Sequence, residues 1–375
     1  MALKRVVNII AGQSPPSEAV SSYEQFGLPF LQGNAEFGDR YPIPMKRCDS
    51  APKRCESGDI LLSVRAPVGA LNVADRPYGI GRGLCAVRAM DLEQRFLWWL
   101  LHAKVEVLSS LAIGSTYDAV TKDVVGGVQI DIPTLEQQTA VANYLDRETA
   151  RIDALIEKKQ RMLTTLQVRA SAQQCRLILQ GVDPITGEGT LPPNWRLANL
   201  GILIALQRGH DLPSQERFEG EVPVVSSGGV SGRHNVAVCA PPGVVTGRYG
   251  TIGEVFWLET PYWPLNTTLY VKDFRGNSPR WVYHLLRALP LNFDEEKSAV
   301  TGINRNVVGQ LRVGVPSLTE QQEIAGRLDR SEAAMDELLR KLDEQLAQLR
   351  ERRQALITAA VTGQLDMPEV VNGNR

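Results

Sequence analysis

The run that opens Pro133-Thr134-Leu135-Glu136-Gln137-Gln138 and closes Leu145-Asp146-Arg147 returns without a gap, 183 positions later, as Pro316-Ser317-Leu318-Thr319-Glu320-Gln321 through Leu328-Asp329-Arg330. Pro, Leu, Gln, Ala, Leu, Asp and Arg recur at matching places. A repeat this long, met once mid-chain and once near the end, constrains the chain to two related halves in tandem rather than a solenoid of short units. Two halves built to one plan point to a two-halved target.

Each repeat opens a long helical pattern. After the first, apolar residues recur at alternating steps of four and three, with Leu145, Ile152, Ile156, Leu163 and Leu166 on the stripe. After the second, the stripe runs Leu328, Met335, Leu339, Leu342, Leu346, Leu349 and Leu356, with charged residues such as Glu337, Lys341 and Glu351 between. This is a heptad seam, and a single narrow stripe cannot bury itself. The two helices are expected to pair as an antiparallel intramolecular coiled coil; at 1.5 Å per residue, about 40 residues make a rod of roughly 60 Å. The alternative is that each helix lies on its own globular part.

Residues 1–132 and 193–314 read differently, as short β-type runs punctuated by Gly and Pro, for example Asp59-Ile60-Leu61-Leu62-Ser63-Val64 and Gly243-Val244-Val245-Thr246. Looser matches join these parts as well: Pro77-Tyr78 with Pro261-Tyr262, the helix-like Arg95–Ala103 with Arg280–Ala288, and Val124-Val125-Gly126 with Val307-Val308-Gly309. The expected fold is mixed α/β, of α+β type: β-rich globular parts at 1–132 and 193–314, helices at 133–180 and 315–375, a linker at 181–192, and a pseudo-twofold tandem repeat.

The chain has 375 residues, 43% of them hydrophobic, enough for two cores. Its net charge of −1 argues against a protein that holds nucleic acid by bulk charge alone, so any basic surface must be local. Lys4 and Arg5 precede only a short apolar stretch broken by Asn8 and Gly12, which fits neither a signal peptide nor a membrane span, and a cytoplasmic location is expected. Five cysteines without a C-x-x-C pair and four scattered histidines lack metal-ligand spacing, so no metal site is expected. Phosphate-binding, dinucleotide, zinc-protease and nucleophile-elbow motifs are absent. Glu295-Glu296-Lys297 resembles a nuclease fragment without its upstream partner and reads as a solvated charge run.

What remains is recognition chemistry. Arg65 and Arg248, the latter followed by Tyr249, sit on Gly-rich turns directly after strands, where a guanidinium could fork onto guanine or phosphate, or pair with a surface carboxylate. Lys122 and Arg305 occupy one repeat position, beside Ser115-Thr116-Tyr117-Asp118 in the first half and Asn304 in the second; a cation kept in both suggests phosphate anchoring. Arg82 and Asn266, near the matched Pro-Tyr pairs, are of types that read guanine and adenine. Phe96, Trp98, Trp99, Trp281 and Tyr283 have the helical spacing of core aromatics rather than of a stacking platform.

With its two P-x-L-x-[EQ]-Q elements, each followed by a heptad helix and preceded by a β-rich part, together with the tail Ala355-Leu356-Ile357-Thr358-Ala359-Ala360-Val361-Thr362-Gly363-Gln364-Leu365, the chain resembles the specificity (S) subunit of type I restriction-modification systems over essentially its full length. The resemblance implies two target recognition domains, each reading half of a bipartite double-stranded DNA sequence, with the paired helices as a ruler for the gap. It implies docking of two methyltransferase subunits and, through them, restriction subunits that translocate DNA and cut it. It implies no catalysis by this chain and no cofactor on it, with S-adenosylmethionine, ATP and magnesium on the partners. Gln137 against Glu320, and Tyr144 against Arg327, make the two docking surfaces unequal. Two alternatives stay open: a related system whose methylation and cleavage share one polypeptide, and a scaffold that binds proteins or glycans.

Overall fold

The computed structural model describes residues 1–22, 27–48, 50–112, 119–291 and 302–365. The chain divides into two compact units, one of residues 1–159 with 344–375 and the other of residues 160–343. The fold is mixed α+β. Two helices run across the division: the first long helix, Leu135–Leu179, begins in the first unit and ends in the second, and the second, Leu318–Val361, does the reverse. No helix among the described residues is long and apolar enough to cross a membrane.

In the first unit a four-stranded antiparallel sheet has the order Val7–Ala11, Leu84–Ala89, Ile60–Ser63, Leu71–Val73. Its central strand Ile60–Ser63 is buried on both faces. Ile60 and Leu62 join the core beneath the helices, while Leu61 joins a separate cluster with Leu31, Tyr78 and Ile80. Alternation with a period of two sends neighbours to opposite faces, so an unbroken apolar run marks a sheet covered twice. A second small sheet supplies that cover and includes a parallel pair, Phe30 with Gly79. The second unit repeats the plan: its sheet runs Ala205–Arg208, Thr268–Asp273, Gly243–Gly247, Val255–Leu258, and Val224 pairs in parallel with Trp263. Val244 and Val245 face different clusters there, as Leu62 and Leu61 do in the first.

A helix packs on each main sheet, Gln94–Ala103 in one unit and Pro279–Ala288 in the other, and buries Phe96, Trp99 and Trp281. These aromatics are core. The linker expected at 181–192 begins where Gln180 and Gly181 both adopt positive φ and end the helix, and the Asp183 carboxylate then accepts from the backbone of Ile185 and Thr186.

The repeated motif has a mechanical meaning. Gln138, 2% exposed, accepts from the backbone N–H of Glu93 at 2.8 Å and donates to the Pro133 carbonyl at 2.9 Å. Gln321, equally buried, accepts from the N–H of Ser278 at 2.9 Å and donates to the Pro316 carbonyl at 3.2 Å. Glu93 and Ser278 are themselves the N-caps of the sheet-packing helices. Two turns further on, Asp146 accepts from Trp99 Nε1 at 2.9 Å and from Arg95 at 3.1 Å, while Asp329 accepts from Arg280 and from His284 Nε2, both at 2.7 Å. The recurring Pro, Gln and Asp thus latch each long helix to its sheet module.

Within each unit the two long helices run antiparallel. In the first, Arg353 meets Asp153 at 2.8 Å and Lys159 donates to Gln345 at 2.6 Å. Along the expected seam Leu145, Ile152, Leu328, Leu342 and Leu346 are buried, and Ile156, Leu163, Leu166, Met335, Leu339, Leu349 and Leu356 are half-buried. Near each C-terminus the buried face moves by one position, to Ile178 and Ile357, both 0% exposed, because there the helix enters a globular core. The pairing and the packing on a sheet module, posed above as alternatives, therefore both occur, at different points of one helix.

Gln138→Leu and Gln321→Leu each leave a buried N–H and a carbonyl without a partner. Each is expected to cost about 2–5 kcal/mol in urea unfolding, whereas Gln160→Ala, on an exposed helix face, should stay within about 0.5 kcal/mol.

Candidate nucleic-acid interface

The clearest polar concavity lies in the second unit. Strand Gly243–Gly247 ends in the turn Arg248-Tyr249, which two backbone bonds fix: Arg248 N–H donates to the Thr267 carbonyl at 2.8 Å, and Ile303 N–H donates to the Arg248 carbonyl at 2.9 Å. The Arg248 guanidinium lies 4.5 Å from the centroid of the Tyr249 ring, a cation–π arrangement that holds the charge in place. A Cβ at Gly302 would lie 2.4 Å from Tyr249 Cε1, so glycine alone leaves room for the ring.

Arg305 is the first residue of the short helix Arg305–Val308, whose N-cap Asn304 accepts from Asn306 N–H at 3.0 Å. Arg208 ends the strand Ala205–Arg208. Together Arg208, Arg248, Tyr249, Asn304, Arg305 and Asn306 line an open cleft of about 470 Å³. Four of the residues expected from sequence, Arg248, Tyr249, Asn304 and Arg305, are therefore brought together. Arg208 was missed, for nothing in its local sequence separates it from an ordinary strand-end cation. The oxygen of Asn304 is engaged in capping.

In the first unit Arg65 is exposed and bridges to Ala119, and Val120 N–H donates to the Val64 carbonyl at 2.9 Å. Lys122 opens the short helix Lys122–Gly127 behind the N-cap Thr121, as Arg305 does behind Asn304. Burial pushes the Cys85 thiol up to about 12, and the neighbouring charge of Lys122 opposes it. Ser115–Asp118 and Glu295–Lys297 lie outside the described residues.

Matching backbone bonds set the two modules in register. Val64 N–H to the Gly83 carbonyl corresponds to Arg248 N–H to the Thr267 carbonyl, and Gly12 N–H to Leu84 corresponds to Gly209 N–H to Thr268. The framework partner of Arg248 is therefore Val64, and that of Tyr249 is Arg65. The two turn arginines are one position out of step. Arg82 does match Asn266: Arg82 N–H donates to Ser14 Oγ at 3.4 Å, and the Asn266 amide donates to Asp211, which occupies the place of Ser14. Among the described residues none of Arg65, Arg82, Lys122, Arg248 and Arg305 forms an ion pair, and Lys122 alone of the five has a carboxylate, Asp123, next to it in the chain.

The structure also gathers His284 with Asp329 and Glu332, which lie far from it in sequence, and the three have the side chains of a metal site. Arg280 and Arg287 already hold the two carboxylates, and His284 donates to Asp329, so the cluster acts as the ionic part of the latch. Glu320, set against Gln137 in the motif, accepts from Trp195 Nε1 at 2.9 Å, whereas Gln137 accepts from Thr134 at its own helix start.

The family model described as a type I restriction modification DNA specificity domain matches the chain twice, over residues 1–165 and 192–348. A putative type I restriction enzyme MjaX specificity subunit of Methanocaldococcus jannaschii is 36% identical over 180 residues, covering 48% of this chain and 41% of that protein. The MjaIX specificity subunit of the same organism is 24% identical over 248 residues, 60% of this chain and 56% of its own length, so the matches span about half the length of these two relatives. The EcoDI specificity subunit of Escherichia coli is 19% identical over 374 residues, covering 84% of this chain and 80% of that one. A chain solved in a study of complex assembly and conformational transition of the type I R-M system superposes with a TM-score of 0.79 at 19% identity, over 97% of each chain, and establishes the likeness of fold.

Burial drives the His102 imidazole down to about 4, with the bond to the Trp98 carbonyl opposing it, and burial lowers His284 too, against the pull of Asp329. Above pH about 6.5 both folded and unfolded chains carry these rings neutral; below it the unfolded chain takes up protons that the folded chain excludes. For His102 stability is expected to be full above that pH and to fall as pH drops toward about 4, by up to about 1.4 kcal/mol per pH unit, and His284 adds a loss of the same sign. His102→Gln should flatten this dependence in urea titrations at neutral and acid pH.

Proposed function

The chain belongs to the type I restriction-modification DNA specificity family, and we propose that it reads DNA sequence for such a complex, each sheet module recognising one half of a bipartite double-stranded target. The observation that carries this reading is the contrast within the repeat: the glutamine latch and the order of the four-stranded sheet recur in both modules, while the polar residues at equal framework positions differ, Arg82 against Asn266 and Arg65 against Tyr249. A shared scaffold with divergent loop chemistry suits two different half-sites read in one geometry.

In this reading the chain contributes recognition and no bond-making step. Adenine methylation with S-adenosylmethionine, and ATP- and magnesium-dependent translocation and cleavage, belong to two methyltransferase subunits and the restriction subunits they carry. The unequal positions Gln137 and Glu320 then predict that the two methyltransferase contacts differ in strength. The antiparallel helices act as a spacer, because two linked modules gain effective concentration on one duplex only when the gap between half-sites matches their separation.

Selection from a random DNA pool by the chain, purified with its methyltransferase subunit, should enrich a bipartite motif with a fixed gap; a contiguous motif, or none, would exclude the reading. Insertion of one heptad into both long helices should lengthen the tolerated gap by about three base pairs, since seven residues rise roughly 10 Å and a base pair 3.4 Å, and should leave both half-sites unchanged.

A further inference from the structure

The two modules share a framework but not a pattern of charge. In the second, Arg208, Arg248 and Arg305 converge on one cleft, and no carboxylate lines it among the described residues. Arg208 also faces Asp211 at 3.7 Å, and among the described residues Arg248 and Arg305 form no ion pair. At the equivalent positions the first module has Ala11 for Arg208, Val64 for Arg248, Arg65 for Tyr249, Lys122 for Arg305 and Asp123 for Asn306. Two of the three arginines are thus replaced by apolar side chains, and a carboxylate is set beside the lysine.

Resting on the proposed function, we infer that the cleft of the second module seats a backbone phosphodiester of DNA and is the chain's principal charge anchor, so that the two modules contribute unequally to affinity. Converging cations add their attraction for one phosphate, whereas a carboxylate next to a lysine subtracts from it. Tyr249 and Gly302 pre-position the Arg248 guanidinium, so little ordering remains for the moment of binding. The first module, with Arg65, Lys122 and Asp123, adds discrimination to a duplex already held by the second.

The test is a salt titration of binding to a fluorescent duplex of random sequence, with the full chain and its methyltransferase subunits. Each phosphate contact contributes about 0.9 to the slope of log K against log salt. Arg248→Gln with Arg305→Gln should lower the slope by about 1–2 and weaken binding roughly ten-fold at about 50–200 mM salt. Arg65→Gln with Lys122→Gln removes the same formal charge and should have less than half that effect. Asp123→Asn, alone or with Val64→Arg, should strengthen binding and steepen the slope, a gain that misfolding cannot mimic. Equal losses from the two double variants, or no gain from Asp123→Asn, would overturn the anchor. A wild-type complex that binds no duplex at any salt would overturn the proposed function itself, and it is seen before any variant is made.

Discussion

A buried carboxamide, Gln138 in one half and Gln321 in the other, joins each long helix to its sheet module, and the placement of that module's loops depends on it. Its oxygen accepts from the N–H at the start of the sheet-packing helix, and its N–H donates to the proline carbonyl just before the long helix. Both of those backbone groups sit at helix starts, where burial without a partner is costly. Asp146 and Asp329 then fix the angle two turns later through Arg95 and Arg280. Only a residue offering both a donor and an acceptor can close the first pair of bonds. That need accounts for the exact recurrence of Gln in a motif whose neighbours vary.

The heptad stripe is weaker than the latch. Most of its middle positions are only half-buried, with Ile152, Leu342 and Leu346 buried among them, whereas Leu145 and Leu328 are buried where a helix also joins the core of a sheet module. Each helix therefore has two kinds of packing along its length, a narrow seam against its partner and broad burial in a core. This arrangement fixes each module on its own stretch of helix.

On this fixed frame the loops diverge. A strand end bearing Arg208 in one module bears Ala11 in the other, and the turn that offers Arg248-Tyr249 in one offers Val64-Arg65 in the other. Because the backbone bonds of those turns are the same, side chains can be exchanged without moving the scaffold, as the proposed reading of two half-sites requires.

The two-halved plan, the long helices, β-type runs at Asp59–Val64 and Gly243–Thr246 and the core aromatics were legible in the sequence, because repetition and periodicity are local properties of the chain. So were Arg248, Tyr249 and Arg305 as candidates, through their place after a strand or before a helix. Three things were decided by the tertiary structure. Arg208 joins them only because the strand Ala205–Arg208 pairs with Thr268–Asp273; His284 meets Asp329 only because helix packs on helix; and the one-position offset between Arg65 and Arg248 emerges only from matched backbone bonds. Each depends on contacts between residues far apart in the chain. Local pattern specifies an element and its buried face, and the convergence of loop ends follows from how those elements are stacked.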